Sequence, residues 1–447
     1  MRFLVIVFTA TVLCAACVQA QDAAPAVQEK LTLDRALEIA FQRNPDLRSA
    51  VAQLEKSKGG LREARANFNP KFTAEVTHLR QGPQVSFVVP GGPRVNIIQE
   101  HNTTAVVSFL LPIDVSKKLS YVSDIAKYQF QLDYLSLLAA SQKLIYDVKN
   151  AYYDLLRAQA QKEVARKAVE AAKARLKDAN ARYSAGTAPK FDVMRAEVDV
   201  ANFNQQLIRA QSRVAMARAA FNKVLGLDVN APTEVAPIDV PADQSQPSPD
   251  FDQALEEAYS KRPEIKTGET AFELAKKNVK LQRTGILPTL AATANYNYNF
   301  RVSGFSTSNE SWTALLNLSV PIWDGGVTKA KVDQANADVE KSAQTLQNIK
   351  LAVALDVKNA TLALNDALKR MATAEQNVKL AEEALRLANV RYNAGVSTMV
   401  ELSDAELALT QARTEYVNAR YDYAAAVAAL EKATGNQPEL AKLRLLE

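Results

Sequence analysis

The chain has 447 residues, with 54 Lys and Arg against 49 Asp and Glu and a formal charge of +5. Opposite charges are interleaved along its length, which excludes the basic face that a nucleic-acid binder needs. No run of eighteen apolar residues occurs, so the sequence offers no transmembrane helix.

The first twenty residues form a unit of their own. Arg2 precedes the short apolar run "FLVIVFTATVL", and "CVQA" sets Val18 and Ala20 at the small-residue positions before Gln21. This pattern predicts a signal peptide over 1–20 and an exported mature chain. Cys17 follows two alanines, which leaves a lipidated start as the alternative, although Cys14 stands where a lipobox carries leucine. With cleavage after Ala20 both cysteines leave, and no thiol remains for a disulfide, a metal or catalysis.

The rest reads as two copies of one plan. "LDRALEIAFQRNPDL" and "FDQALEEAYSKRPEI" lie 218 residues apart, as do Pro70 and Pro288. From Pro112 and Pro321 onward the spacing is 209, and it carries Gly186 onto Gly395 and Gly226 onto Gly435. The first repeat, 21–226, opens with a short helix. Asn44 then caps a second helix that Pro45 begins and "FNPKF" stops. A β-hairpin follows at about 71–112, its loop the longer of the two. Next come a long helix at about 115–183 free of Pro and Gly, a tip turn at 184–189 and a helix at 190–225. The segment 227–250 contains five prolines and reads as an extended connector. The second repeat, 251–435, predicts a hairpin at about 288–321, a long helix at about 326–392, a tip turn at 393–398 and a helix at 399–434. A short tail, 436–447, ends the chain. Each long helix would reach about 100 Å, and two shorter ones stacked end to end nearly match it. Ala-rich heptads such as "LALNDALKRMATAEQNVKLAEEALRLANVRY" suit coiled-coil packing, which by itself describes a soluble antiparallel bundle.

Four strands of about ten residues argue against stopping there. They fall near 71–80, 103–111, 289–301 and 311–320, and ten tilted residues cross an outer-membrane bilayer. In "TANYNYNFR" Tyr296, Tyr298 and Phe300 share one face and Thr293, Asn295, Asn297, Asn299 and Arg301 the other. Trp312, Ala314, Leu316, Leu318 and Val320 share a face in the last strand, Ala105, Val107, Phe109 and Leu111 in the second, and Phe72, Ala74 and Val76 in the first. An apolar exterior, a polar interior and an aromatic girdle of Tyr296, Tyr298, Phe300 and Trp312 are what a lipid-embedded barrel requires. Open sheet edges are not tolerated in lipid, so four strands must close with other copies of the chain.

The junction "LSVPIWDGGVTKAKVDQA", the paired turns "RYSAGTAPKFDVMRAE" and "RYNAGVSTMVELSDAE", and the duplication resemble the TolC family of outer-membrane efflux proteins over essentially the whole mature chain. The first copy departs, with "PIDVSKK" in place of the Gly-Gly motif. The resemblance implies a mainly α fold with a transmembrane β-barrel portion: a homotrimer whose twelve strands share one barrel and whose long helices form a periplasmic tunnel. It implies an exit duct of a tripartite efflux or type I secretion system, set in the outer-membrane lipid of a Gram-negative bacterium. The implied partners are a periplasmic adaptor (membrane fusion) protein and an inner-membrane pump of RND, ABC or MFS type. It places tip closure and adaptor docking at Tyr183, Gly186, Asp192, Tyr392 and Gly395, with Asp192 paired to Tyr392. It places an acidic pore constriction at Glu401 and Asp404, which share a helix face. Thr398 and Glu401 also fit a capping box, so Glu401 has a purely structural reading. Ser397 stands where some relatives carry a tip arginine.

No catalytic set, phosphate loop, zinc spacing or cofactor motif is present in the sequence, and no enzyme is expected. His78 and His101 flank the first hairpin loop as a conceivable metal pair, with simple solvation as the plainer reading. The competing function is a non-transporting periplasmic coiled-coil scaffold or adaptor, which has no use for four amphipathic strands.

Overall fold

A computed structural model describes residues 30–88, 90–92, 94–98, 100–238, 250–301 and 308–437. The expected signal peptide with Cys14 and Cys17, most of the connector and most of the C-terminal tail lie outside the described residues. The first half folds as α1 (Leu33–Arg43), α2 (Pro45–Ala66), β1 (Lys71–Arg80), β2 (Val85–Val88), β3 (Arg94–Ile98), β4 (His101–Ile113), α3 (Lys118–Ser184) and α4 (Lys190–Leu225). The second half gives α5 (Phe251–Lys261), α6 (Pro263–Arg283), β5 (Thr289–Asn299), β6 (Glu310–Ser319), α7 (Val327–Asn393) and α8 (Met399–Thr434). The long helices α3 and α7 have 67 residues each, and α4 and α8 have 36 each.

One expectation needs correction. The first hairpin loop is not irregular, because β2 and β3 pair antiparallel within it, with a register shift between Val85 and Ser86. Its alternating "VSFV" and "RVNII" carry the signal, which the intervening prolines and glycines obscured. Pro189, the last residue of the tip turn, stands at the N-cap of α4 in extended conformation. The connector packs where it is described. Leu31 bridges Val235, and the buried Tyr152 hydroxyl lies 2.7 Å from the carbonyl of Ala236 and 3.0 Å from that of Leu31. Burial pushes this phenol up to about 12. Around it Ile145, Val148, Leu155, Phe221 and Leu225 make the main core. The matching position of the second copy holds Thr361, and its core of Ala254, Ala258, Ile265, Val353 and Val357 is built from smaller side chains.

Short helices stack end to end beside the long ones. Asn44 caps α2 by accepting from the N–H groups of Asp46 and Leu47, while its amide donates to the Val224 carbonyl of α4 at 2.9 Å. Gly226 ends α4 at φ 71°, and a Cβ there would lie 2.5 Å from the Arg43 carbonyl oxygen. Gly435 ends α8 at φ 72° against Lys261 and Arg262 of the α5–α6 junction. Where the second copy starts its long helix with Gly326 at φ 87°, the first uses Lys117 at φ 58°. The missing Gly-Gly motif therefore changes the residue and leaves the left-handed bend in place.

Apart from α1, which packs against α3 and α4, and α5, which packs against α7 and α8, the helices lie side by side. Toward the tip turns the neighbour order is α4–α3–α8–α7, and toward the sheet it is α2–α3–α6–α7. Gly226→Ala should combine a strained left-handed alanine, about 1–2 kcal/mol, with a backbone clash. Gly186→Ala, at φ 73° with open space around the added carbon, should show the strain alone. Denaturant midpoints of the two variants should fall in that order.

Candidate functional site: the channel wall and its tip

The four main strands form one antiparallel sheet in the order β1–β4–β5–β6. Register decides the faces. Phe72 lies opposite Phe109, Phe109 opposite Ala294, and Ala294 opposite Ala314. The next rows bring Val107, Tyr296 and Trp312 together, then Ala105, Tyr298 and Val76. Apolar side chains read separately in each strand thus merge into one continuous face. Phe72, Leu316, Leu318 and Trp312 stand well exposed on it. Tyr298 and Phe300 meet edge to face with centroids 5.2 Å apart. The opposite face carries Thr73, Glu75, Asn295, Asn297, Thr313 and Asn317, and Thr104 donates across it to Asn299 at 2.9 Å.

The sheet has two open edges, β1 and β6. The helical layer ends on the matching sides: α2, which leads into β1, and α4, which meets the start of α2, form one margin, and α7, which follows β6, forms the other. Both helical margins expose apolar heptad positions. Phe191, Met194, Val198 and Ile208 line α4, and Leu355, Leu362, Leu380 and Leu387 line α7. Such rows are unfilled coiled-coil seams.

At the far end of the helices two turns lie side by side. Gly186 and Gly395 take φ 73° and 74°, and Thr187 and Val396 donate their N–H groups back to the Arg182 and Arg391 carbonyls at 2.9 and 3.1 Å. These are left-handed helix ends of the expected kind. Beneath them Ala179, Val193, Ala196, Met399 and Leu402 close a small apolar core. Burial, then the charge of Asp192, raises the Tyr392 hydroxyl above its ordinary range, while Arg182 opposes the shift. Asp192 therefore acts on Tyr392 through its charge. The direct contact is Arg182, whose guanidinium lies 5.0 Å from the ring centroid and donates to Asn393 at 2.6 Å. Tyr183 is exposed beside its turn.

The capping box forms by half. Thr398 accepts from the Glu401 N–H at 3.3 Å, but the Glu401 carboxylate turns to the Ser397 hydroxyl at 2.6 Å and to Arg391 at 3.7 Å. Asp404 is exposed one turn on. Deeper, Arg175 of α3 pairs with the buried Glu406 of α8, and Ser403 donates to Asp199 of α4 at 2.7 Å. Sequence alone does not mark Arg182, Arg391 or Glu406 as parts of the tip. The first two open the "RY" turns, where a cation at a helix C-terminus is the available signal. Glu406 gives no signal of burial in a solvated-looking helix.

Among the described residues no group of three or more His, Cys, Asp or Glu side chains could hold a metal ion. His78 and His101 stack at 5.6 Å near the outer ends of β1 and β4, and His78 Nδ1 lies 2.8 Å from the Thr103 hydroxyl.

A family profile described as "Outer membrane efflux protein" matches residues 36–227 and 254–436. The chain belongs to this family. Over 411 residues it is 25% identical to outer membrane protein TolC of Vibrio cholerae, covering 90% of each chain. It is 24% identical over 410 residues to the pyoverdine export outer membrane protein OpmQ of Pseudomonas aeruginosa, covering 90% of this chain and 85% of that one. The solved structure of VceC from Vibrio cholerae shares the fold, with a TM-score of 0.75 at 20% identity over 90% of this chain and 96% of that one. As an outer membrane efflux protein, the chain is an exit duct of the outer membrane with a helical extension into the periplasm, and its sheet is the membrane wall.

The faces of that wall give a direct test. Leu316→Arg should impede insertion, since a cation on the lipid face near the midplane costs about 2–4 kcal/mol. Asn317→Arg, one residue on and facing the other way, should insert normally. Heat-modifiable migration of the outer-membrane fraction would distinguish the two.

Proposed function

We propose that three copies of this chain close head to tail into one conduit, gated at the helix tips and fed by a periplasmic adaptor and an inner-membrane pump. The observation that carries closure is the alignment of unfilled edges. On one side β1, α2 and α4 present unpaired strand groups and apolar heptads, and on the other β6 and α7 present the same. Lipid offers no hydrogen bonds to the backbone groups of β1 and β6, so each must find a strand of another copy. The number three follows the family resemblance, and twelve strands then complete the barrel. Because one edge differs from the other, the contact is heterologous, and only a closed ring avoids an endless filament. Both native cysteines lie in the first twenty residues, so new cysteines report cleanly. Met194→Cys with Leu387→Cys should give oxidised trimers on denaturing gels, whereas either variant alone should stay monomeric.

The tip carries the gate in this reading. Arg182 ties the first copy's turn to Tyr392 and Asn393 of the second, and Asp192 adds its charge to the same cluster. These contacts replace the arginine absent at Ser397, and the adaptor docks around the same turns. Glu401 and Asp404, repeated in three subunits, would ring the passage with about six carboxylates and favour cations. Glu401 also serves its own helix end, so the two roles are compatible. The duct moves substrate passively and performs no catalysis. OpmQ is named for pyoverdine export and a further relative is the protein CyaE of Bordetella pertussis, so related ducts differ in name and context while this chain's cargo is set by its pump. Glu401→Ala with Asp404→Ala should shift single-channel reversal potentials toward lower cation preference. Unchanged potentials would remove the constriction.

A further inference from the structure

Where the first repeat meets the second inside one chain, α3 lies against α8 in a single antiparallel register. Lys149 meets Glu431 at 2.6 Å, Arg157 meets Asp422 at 3.1 Å, and Gln161 donates to Asn418 at 2.6 Å. Arg175 and Glu406 continue the same line toward the tip. The spacing of 209 residues carries α3 onto α7 and α8 back onto α4. The free margins of α7 and α4 are therefore the images of a joint whose geometry the chain already displays. Both margins are bare, with Leu362 and Leu380 exposed on α7 and Met194 and Val198 on α4.

At its centre the image is reversed in charge. Arg157 maps onto Asp366, and Asp422 maps onto Arg213. The long and the short side chain change places too, so the combined reach of the pair is kept. Asp366 is 65% exposed and touches Arg370 of its own helix at 2.8 Å. Arg213 is exposed, and among the described residues it makes no ion pair. One rung away Gln161 and Asn418 map onto Arg370 and Arg209. Arg370 also reaches Asp422 at 3.2 Å, so two carboxylates offset its charge on that side.

A copied pair would let the two joints exchange partners, and a reversed pair does not. If another copy's α4 took the place of α8 against α3, Arg157 would face Arg213. If another copy's α8 settled on the free side of α7, Asp366 would face Asp422. Within the chain Arg157 and Asp422 are only 27% and 30% exposed, so water would screen a like charge there poorly.

We propose that Arg213 and Asp366 select the neighbour at the seam. On this assignment α7 of one copy docks on α4 of the next in the register of α3 on α8, and like charges penalise both exchanged pairings. The partner is a second copy of this chain. Charged flanks choose partners in coiled coils by the same means, through the cost of the wrong pairing as much as the gain of the right one. Two nearly equivalent joints can then coexist in one wall without being confused. The inference rests on the head-to-tail closure proposed above, and it adds the register and the selecting pair.

The test uses the full chain in outer-membrane preparations. Arg213→Cys with Asp366→Cys should be joined into trimers by a short bismaleimide, which spans the gap that two side chains as small as cysteine leave. Arg213→Asp alone and Asp366→Arg alone should each weaken the heat-resistant trimer, by roughly twofold to fivefold per contact. The two reversals together should restore it, a recovery that a merely solvated pair would not show. Single reversals as stable as the unaltered chain overturn the selector, as does a double reversal no better than the singles. Met194→Cys with Leu387→Cys, treated with the same linker, reports on the ring itself. If that pair is joined and the 213–366 pair is not, the register fails while the ring stands. If neither is joined, the ring fails with it.

Discussion

Backbone hydrogen bonding at two strand edges governs the rest of this molecule. In water β1 and β6 could be left open, as edge strands often are, but a hydrocarbon environment gives their N–H and C=O groups no partner. Pairing with further copies is the only remedy that keeps both the apolar outer face and the polar inner one. The helical layer inherits that requirement. It continues β1 into α2 and α4 and β6 into α7, so in the proposed ring the closure of the sheet also brings α7 against the neighbouring α4. In the proposed ring, exposed leucines and methionines that would be liabilities on a soluble coiled coil form the seam of a tube.

Duplication supplies the two halves of each wall, and the halves have diverged where their tasks differ. Tyr152 locks the first copy to its own N-terminal segment and connector, whereas Thr361 leaves the corresponding position of the second copy to smaller neighbours. The strand-to-helix passages show the same economy. Lys117 and Gly326 adopt one left-handed conformation with different residues, and an aspartate caps each long helix from a different position in the motif.

Much of this was legible in the sequence because the signals were local. Helix ends were marked by Asn44 with Pro45, by Gly226 and Gly435, and by the paired turn glycines. Strand faces followed from alternation, and the fixed spacing of 209 residues tied the copies together. The β2–β3 hairpin was hidden because its prolines and glycines read as loop, and Pro112 read as a strand end although it still pairs with Ala291. The tip was legible as a place but not as a set of contacts. Which side chain reaches Tyr392 depends on how α3 and α7 cross in space, and nothing in either heptad distinguishes Arg182 from Asp192 as the partner. The burial of Glu406 beside a half-buried Arg175 was equally invisible, since both occur in helices rich in solvated charge.

The butt joints of α4 on α2 and α8 on α6 give the tube wall an unusual mechanics. Each joint is flanked by an unbroken long helix, much as the breaks in a spliced timber frame are staggered beside continuous members. The continuous pieces resist bending along the axis. The α4–α2 break lies within the main core, where Phe41 and Leu47 share a buried cluster with Phe221 and Leu225. A wall made this way has no level at which every helix is interrupted, so a pull along its length is always carried by unbroken helix.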